Sequence, residues 1–234
     1  MMEMIKIGGL ETFSAVDFPN QIAAVVFMQG CPWRCPFCYN TNLQGTEGPD
    51  EVDWNKFIEF LKKRKGILDA VVFSGGEPLM QDGLQKAMTE VKELGYIIGM
   101  HTGGYRPKHL AEVLPLVSWV GFDIKAPFAE EHYDRATGSK GHLPKVLQSL
   151  DLLLDSGIDF ECRTTCDPRI LEIADIYTIA DELKAKGVKK YFLQKYRPVP
   201  SDKVTTDAEC SKFFNDKELL EYLRKTFTVF DTRM

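Results

Sequence analysis

Short apolar runs alternate with amphipathic segments along the 234 residues of the chain. In the amphipathic segments, apolar residues recur three or four positions apart, which is typical of helices that bury one face. The apolar runs are bounded by turn residues, as expected of strands that are covered on both sides. Six such strands are predicted, at residues 22–28, 70–73, 96–100, 119–123, 159–165 and 190–194.

This alternation predicts a parallel sheet with right-handed crossovers. Six strand–helix units are too few to close an eight-stranded barrel, so the predicted fold class is α/β, a partial (β/α)6 TIM-like barrel. No internal repeat or linker divides the sequence. A single domain over residues 1–234 is therefore expected, with a short edge strand at 227–230. In such a fold the active site gathers at the C-terminal ends of the strands.

Composition and charge argue against only a few classes of partner. Hydrophobic residues make up 44% and charged residues 27% of the chain, which is ordinary for a soluble globular protein. A net charge of −5 and a pI near 5.5 argue against a nucleic-acid partner, which needs a basic field. No apolar run approaches the ~20 residues that span a bilayer, so no membrane partner is expected. Without a signal peptide, a cytoplasmic location is expected.

Three cysteines follow the first predicted strand in a C-x3-C-x2-C run, at Cys31, Cys35 and Cys38. Three thiolates this close in sequence can hold three irons of a cubane cluster. No fourth cysteine lies nearby, so one iron would stay open to bind something else, as catalytic metal sites keep a free position. The remaining cysteines do not form a second group of this kind, and structural roles are expected for Cys162, Cys166 and Cys210.

Other uses of the three cysteines are weaker. A structural zinc site usually takes four Cys or His ligands in paired spacings, and the nearest histidine in sequence is His101. A disulfide with one spare thiol fits poorly with a chain that lacks a signal peptide. An electron-transfer ferredoxin would supply four cysteines per cluster, which leaves such a carrier as the weakest of the open alternatives.

Further candidate residues lie at the ends of later strands. Gly75 and Gly76 let the backbone approach a ligand closely, and Glu77 follows them. Alternation along the fourth strand puts Asp123 and Lys125 on one face, where they bind a ligand or form an ordinary ion pair.

The cysteine spacing resembles the signature of radical S-adenosylmethionine (SAM) enzymes, and the Gly-Gly-Glu run resembles their motif for the SAM amino group. The Asp-x-Lys run at 123–125 resembles that of glycyl-radical-enzyme activating proteins. Within that group, the chain is similar over nearly its whole length to anaerobic ribonucleoside-triphosphate reductase activating proteins in their longer form. The segments that carry this resemblance are 8–19, 123–127, 163–165 and 193–198.

This resemblance implies the radical SAM type of barrel, one 4Fe–4S cluster and SAM as cofactors, and generation of a 5′-deoxyadenosyl radical. It also implies a glycyl radical enzyme as partner, in the first place an anaerobic ribonucleotide reductase, and a flavodoxin or ferredoxin-type reductant. A radical SAM enzyme that acts on a small molecule or a peptide is the second hypothesis.

The resemblance also implies roles for individual residues. The three cysteines bind the cluster, the Gly-Gly-Glu run binds the SAM amino group, and Phe37 packs beside adenine. The remaining predicted contacts to SAM or to a monovalent cation are Tyr39, Thr102, Asp123, Lys125, Arg163 and Gln194.

Two positions depart from the family pattern. Tyr39 stands where related activating proteins often carry histidine, and His101 stands where pyruvate formate-lyase activating proteins carry an aspartate that helps to hold a monovalent cation. Since hard cations prefer oxygen ligands, the cation is either missing or relies on Asp123, Thr102 and backbone oxygens.

Overall fold

The computed structural model describes residues 5–48 and 52–234. Within these residues eight strands follow one another in a single sheet in chain order. The strands are β1 Ile7–Ser14, β2 Ala23–Met28, β3 Ala70–Gly75, β4 Ile97–Thr102, β5 Trp119–Asp123, β6 Asp159–Cys166, β7 Lys190–Lys195 and β8 Val229–Arg233. All six predicted strands are present, with ends that differ by at most two residues.

The helices lie in the segments between the strands, as predicted. They are α1 Trp54–Lys62, α2 Leu84–Glu93, α3 Pro107–Val113, α4 Glu130–Thr137, α5 Leu143–Ser156, α6 Ile173–Lys186, α7 Asp207–Asn215 and α8 Lys217–Thr226. The start of α1 shows how the sequence sets an end, because the Asp53 side chain accepts a hydrogen bond from the Lys56 amide. Helix α6 ends at Gly187, whose φ of 87° suits glycine.

The sequence analysis missed β1 and placed β8 imperfectly. Strand β1 is antiparallel to β2, with Ile7 opposite Met28 and Ser14 opposite Ala23. The closing strand begins at Val229, two residues later than predicted, and runs parallel to β7.

The chain forms two compact units. The first comprises Met1–Pro32, Asn40–Gly121 and Lys145–Asp159, as far as these residues are described. Here β2, β3 and β4 pair in parallel, so that Met28 lies beside Gly75. Its core includes Phe18 stacked on Trp119, with ring centroids 5.3 Å apart, above buried residues of β2 and β3.

The second unit comprises Trp33–Tyr39, Phe122–Pro144 and Phe160–Met234. Strands β6, β7 and β8 pair in parallel here. The expectation of one domain over residues 1–234 stays a prediction, and residues 1–4 and 49–51 lie outside the described residues. Among the described residues, no helix is long and apolar enough to cross a membrane.

Candidate radical SAM site

The first candidate ligand, Cys31, follows the C-terminal end of β2 in the first unit. Gly30 has a φ of 98°, a value that favours glycine, and it turns the chain as it leaves the strand. The Gly30 amide donates to the Leu43 carbonyl at 2.8 Å, and the Cys31 amide donates to the Gln44 carbonyl at 3.3 Å. The backbone around Cys31 is therefore held by the segment that follows the cysteine run.

That segment is organised by Gln29, a buried residue that the sequence analysis did not single out. Its side-chain amide nitrogen donates to the carbonyl of Gly45 at 2.7 Å, and to those of Asn42 and Glu47 at 3.2 Å each. Because Gln29 is only 2% exposed, its side-chain NH2 group needs partners within the protein, and these carbonyls provide them. A glutamine at the end of an apolar strand was the only local signal for this role.

The predicted glycine turn packs directly against the base of the cysteine run. The Gly76 amide donates to the Met28 carbonyl at 2.9 Å, and the Glu77 amide donates to the Gly30 carbonyl at 2.9 Å. A Cβ atom on Gly76 would lie 2.1 Å from the Gly30 carbonyl oxygen, well inside van der Waals contact. Glycine is therefore required here by close backbone approach.

Glu77 is almost fully buried, and its carboxylate ties the ends of β3 and β4 together. One oxygen accepts from the Thr102 hydroxyl at 2.5 Å, and the other accepts from the Gly103 amide at 2.9 Å. The Leu79 amide donates as well, at 3.2 Å. Because a carboxylate offers about four acceptor positions, most of its capacity is used within the protein. The predicted contacts of Glu77 and Thr102 with ligands stay predictions.

His101 has a defined role that the sequence analysis overlooked. Its Nε2 lies 2.8 Å from the Asp17 carbonyl oxygen, and its Nδ1 lies 3.3 Å from the Ser74 hydroxyl oxygen. Since a carbonyl can only accept, Nε2 carries a proton. The ring also meets Trp119 edge-on, with centroids 5.5 Å apart. The imidazole thus connects the end of β4 to the segment between β1 and β2.

Cys35 and Cys38 belong to the second unit, where the Cys38 amide donates to the Cys35 carbonyl at 3.1 Å and closes a turn. Burial raises the pKa of the Cys35 thiol to about 11, and the positive charge of Lys125 offsets only part of that rise. A bound metal centre deprotonates a coordinating thiol outright. A half-buried thiol with a raised pKa is a poor free nucleophile, whereas a metal centre can still take it as a ligand.

Lys125 lies against the two aromatic residues of this turn. Its Nζ is 5.2 Å from the Trp33 ring centroid and 5.9 Å from the Phe37 ring centroid. These are cation–π distances, and both rings are buried. Lys125 therefore positions a positive charge beside Cys35, and Phe37 packs against that cation.

Asp123 contacts both predicted basic neighbours. Its Oδ1 accepts from Arg163 Nε at 3.1 Å and Nη2 at 2.9 Å, and its Oδ2 lies 3.5 Å from Lys125 Nζ. Asp123 and Lys125 thus meet, as the strand alternation predicts. The ordinary ion pair is also present, and the roles of these three residues toward SAM stay predictions.

The last two predicted residues lie on separate elements of this unit. The Tyr39 hydroxyl accepts from the Arg197 amide at 2.8 Å, and its ring stacks on Tyr196 with centroids 6.4 Å apart. Gln194 lies on β7, beside Thr165 of β6. Their predicted contacts with adenine stay predictions.

The cysteine run supplies the donor set of an iron–sulfur cluster. None of its three cysteines forms a disulfide. Over residues 5–48 and 52–234, no three His, Cys, Asp or Glu side chains are placed to hold a single metal ion. Cluster iron is ligated by cysteine thiolate, and in a cubane each of three thiolates binds a different iron. The glycine turn against Gly30 adds a cradle that a Cβ atom would fill.

Comparison with known proteins decides the family. The family model described as the radical SAM superfamily matches residues 25–168. The chain belongs to the radical SAM superfamily. The prediction of a radical SAM enzyme is therefore confirmed, as are its cofactors, a 4Fe–4S cluster held by three cysteines and SAM. The separate expectation about a monovalent cation stays open.

Two radical SAM relatives and one solved structure are informative. MJ1227 of Methanocaldococcus jannaschii, whose name describes a glycyl-radical enzyme activating enzyme, is 30% identical over 199 residues, 82% of this chain and 80% of that one. The pyruvate formate-lyase-activating enzyme of Clostridium pasteurianum is 34% identical over 129 residues, 53% of this chain and 54% of that enzyme.

The crystal structure of Streptococcus suis SuiB bound to precursor peptide SuiA matches with a TM-score of 0.66 at 15% identity. The match covers 90% of this radical SAM chain and 48% of SuiB, so this chain spans about half the length of that neighbour. At this identity the likeness shows the fold alone. It confirms the predicted α/β fold of the radical SAM type.

Proposed function

We propose that this radical SAM enzyme installs a glycyl radical on a partner enzyme. The observation that carries the proposal is the loop of three cysteines outside any disulfide, at whose base the Gly30 carbonyl accepts a hydrogen bond from the Glu77 amide of the Gly-Gly-Glu turn. Similarity to MJ1227 over 80% of that protein supports the same class of activity. When bound, the cluster and SAM supply the 5′-deoxyadenosyl radical that removes a hydrogen atom from a glycine α-carbon.

The protein's share is to bind and orient these cofactors and to exclude competing reactions. The three cysteine thiolates would hold the cluster through three of its irons, and the remaining iron would be available to SAM. The backbone at Gly75 and Gly76 receives the SAM amino group, and Glu77 keeps that turn in place. Phe37 covers the adenine. Further contacts with adenine or with a cation are assigned to Tyr39, Thr102 and Gln194.

The charged residues of the second unit suit the carboxylate of SAM. Lys125 and Arg163 bring two positive charges to the carboxylate of Asp123. Arg163 and Lys125 are largely buried, with side-chain exposures of 7% and 11%. Charge-assisted hydrogen bonds are stronger in such partly desolvated surroundings than in water. Two largely buried cationic side chains of this kind can bind a carboxylate.

For the partner we favour an anaerobic ribonucleoside-triphosphate reductase. Support comes from the resemblance of segments 8–19, 123–127, 163–165 and 193–198 to activating proteins of that reductase. Similarity to the Clostridium pasteurianum enzyme makes a pyruvate formate-lyase the competing partner. A flavodoxin or ferredoxin-type protein is proposed as the reductant.

The test mixes anaerobic, reduced protein and SAM with each candidate partner in turn. A doublet glycyl-radical signal in electron paramagnetic resonance (EPR) is expected with the reductase, with one SAM consumed per radical. Deuterium on the target glycine should collapse the doublet and appear in 5′-deoxyadenosine. Cys38→Ala serves as the inactive control. If neither partner gains the signal while a small molecule or a peptide stimulates SAM cleavage, the second hypothesis replaces this one.

A further inference from the structure

Arg169 lies at the centre of a polar cluster that none of the roles above uses. It follows β6 in the second unit, and its guanidinium bonds to Asp167 through Nε at 3.0 Å and Nη2 at 2.6 Å. Its Nη1 lies 3.0 Å from Asp202 Oδ2, and its Nη2 donates to the Tyr196 hydroxyl at 2.7 Å. The side chains of both aspartates are 0% exposed.

The same guanidinium reaches the cysteine turn. Arg169 Nη2 donates to the Pro36 carbonyl at 3.1 Å. Pro36 lies between Cys35 and Cys38 and has no backbone N–H, so this carbonyl is its only hydrogen-bonding group. The bond spans 133 residues of sequence. It therefore connects the turn to a distant part of the second unit.

Asp167 and Asp202 orient the Arg169 guanidinium for its hydrogen bond to the Pro36 carbonyl. Buried carboxylates require a charged partner, because an unpaired buried charge is strongly unfavourable. A guanidinium has five N–H donors in a rigid fork, so it can serve both carboxylates and still donate to a carbonyl. A lysine ammonium is a single charged point and cannot reproduce that fork.

A second connection joins the same two regions at the other end of the turn. The Tyr39 hydroxyl accepts from the Arg197 amide, and its ring stacks on Tyr196. Tyr196 in turn lies under the Arg169 guanidinium, with the Arg169 Cζ 4.7 Å from the ring centroid. The Tyr196 hydroxyl also donates to Asp202. The turn is thus held by one continuous group of side chains.

We propose that Arg169 is a positioning residue that holds the Cys35–Cys38 turn in the conformation that receives the cluster. Asp167 and Asp202 orient its guanidinium, and the Pro36 carbonyl accepts from Nη2, which also donates to Asp167 and to the Tyr196 hydroxyl. The inference rests on the proposed function only in that this turn ligates the cluster. Arg169 acts through the backbone between the two cysteines, at the Pro36 carbonyl.

The first test uses the iron-free protein, so its result does not depend on radical chemistry. Arg169→Lys keeps the charge that the aspartates need but removes the fork. Arg224→Lys is the matched control, because Arg224 is exposed in the last turn of α8. The measurement is the rate of iodoacetamide labelling at each cysteine by mass spectrometry, together with the thermal midpoint.

In Arg169→Lys, labelling of Cys35 and Cys38 should rise roughly tenfold or more, the size that one lost charge-assisted hydrogen bond allows. Cys162 and Cys166 are fully buried on β6 and should stay unreactive unless the whole unit opens. Asp202→Asn, which removes one of the two orienting carboxylates, should expose the same two thiols if the lysine variant does not fold. Unchanged labelling in both variants, or equal labelling of Cys162, overturns the inference.

The second test reads the reconstituted cluster directly. In Arg169→Lys the reduced cluster should show altered EPR g-values and a shifted midpoint potential, while Arg224→Lys matches the wild type. A purely structural residue would lower the thermal midpoint without changing either property of the remaining clusters. That pattern would contradict a positioning role. Failure to activate a glycyl radical enzyme would refute the proposed function but would leave this result unaffected.

Discussion

The close approach of Gly76 to Gly30 can be tested by substitution, and the test concerns the part of the site that lies in the first unit. In Gly76→Ala the new Cβ would lie 2.1 Å from the Gly30 carbonyl oxygen, 2.8 Å from its carbon and 3.0 Å from the Leu43 carbonyl oxygen. All three neighbours are backbone atoms, so no side chain can rotate away. To separate the new Cβ and the Gly30 carbonyl oxygen by even 3.0 Å, the backbone at the base of the cysteine run must move by about 0.9 Å. Overpacking of this kind costs about 1–3 kcal/mol, which corresponds to roughly 2–12 °C in thermal midpoint for a chain of this size.

Gly9→Ala is the matched control, because its Cβ would meet Phe27 at an ordinary 3.7 Å. Its midpoint should match the wild type or rise slightly, since alanine restricts the unfolded chain. A displacement near 1 Å at a cofactor-binding turn lowers turnover about 100-fold, so SAM cleavage by Gly76→Ala should fall by that order. Calorimetry and 5′-deoxyadenosine formation measure the two effects. Equal midpoints and equal cleavage in the two variants would refute the close-approach argument.

Further variants test the cluster ligands, a buried hydrogen bond and the bonds of Asp202. Alanine at any one ligand should abolish iron–sulfur absorbance and SAM cleavage, since no spare cysteine replaces Cys31, Cys35 or Cys38. Cys210→Ala should keep both, and loss of the cluster there would contradict the ligand assignment. Tyr96→Phe removes a 2.6 Å bond to the Leu61 carbonyl and should destabilise the fold by about 1–3 kcal/mol in urea unfolding. Hydrogen bonds to its carboxylate, first of all the one from Thr205, lower the pKa of Asp202 in the folded protein. These bonds therefore stabilise the fold at pH values above the unfolded pKa near 4, and this stabilisation is lost as the pH falls through the folded pKa. In Asp202→Asn the free energy of unfolding should therefore fall less steeply at acid pH than in the wild type. An unchanged dependence on acid pH would count against this bond network.

The strands that were predicted and the strand that was missed differ in exposure. Residues of β2 and β3 are buried on nearly every position, so they form apolar runs that stand out in the sequence. Strand β1 begins with Ile7 and two glycines and then exposes Glu11, Thr12 and Phe13. It shows neither an apolar run nor strict alternation. Its pairing with β2 follows from tertiary packing that local pattern does not report.

Residues of the site likewise differ in whether the local sequence reveals them. Residues recognised by motif, such as Cys31 and Gly76, lie near strand ends where parallel α/β folds gather their chemistry. Arg169 could not be found in this way, because its importance depends on Pro36 and Asp202, which are distant in sequence. His101 was interpreted only as a missing cation ligand, since its contacts with Asp17 and Ser74 also join separate segments.

The position of β2 inside the sheet bears on which part of the first unit can unfold locally. Strand β2 is hydrogen-bonded on one side to β1 and on the other to β3, so it is not an edge strand. Its amides can exchange with solvent only when a neighbouring strand separates, which places them among the slowest-exchanging amides of the first unit. The residue that leads into Cys31 is thus anchored to a part of the fold with high local stability. Movement of the loop that carries Cys31 therefore need not disturb the strand beneath it.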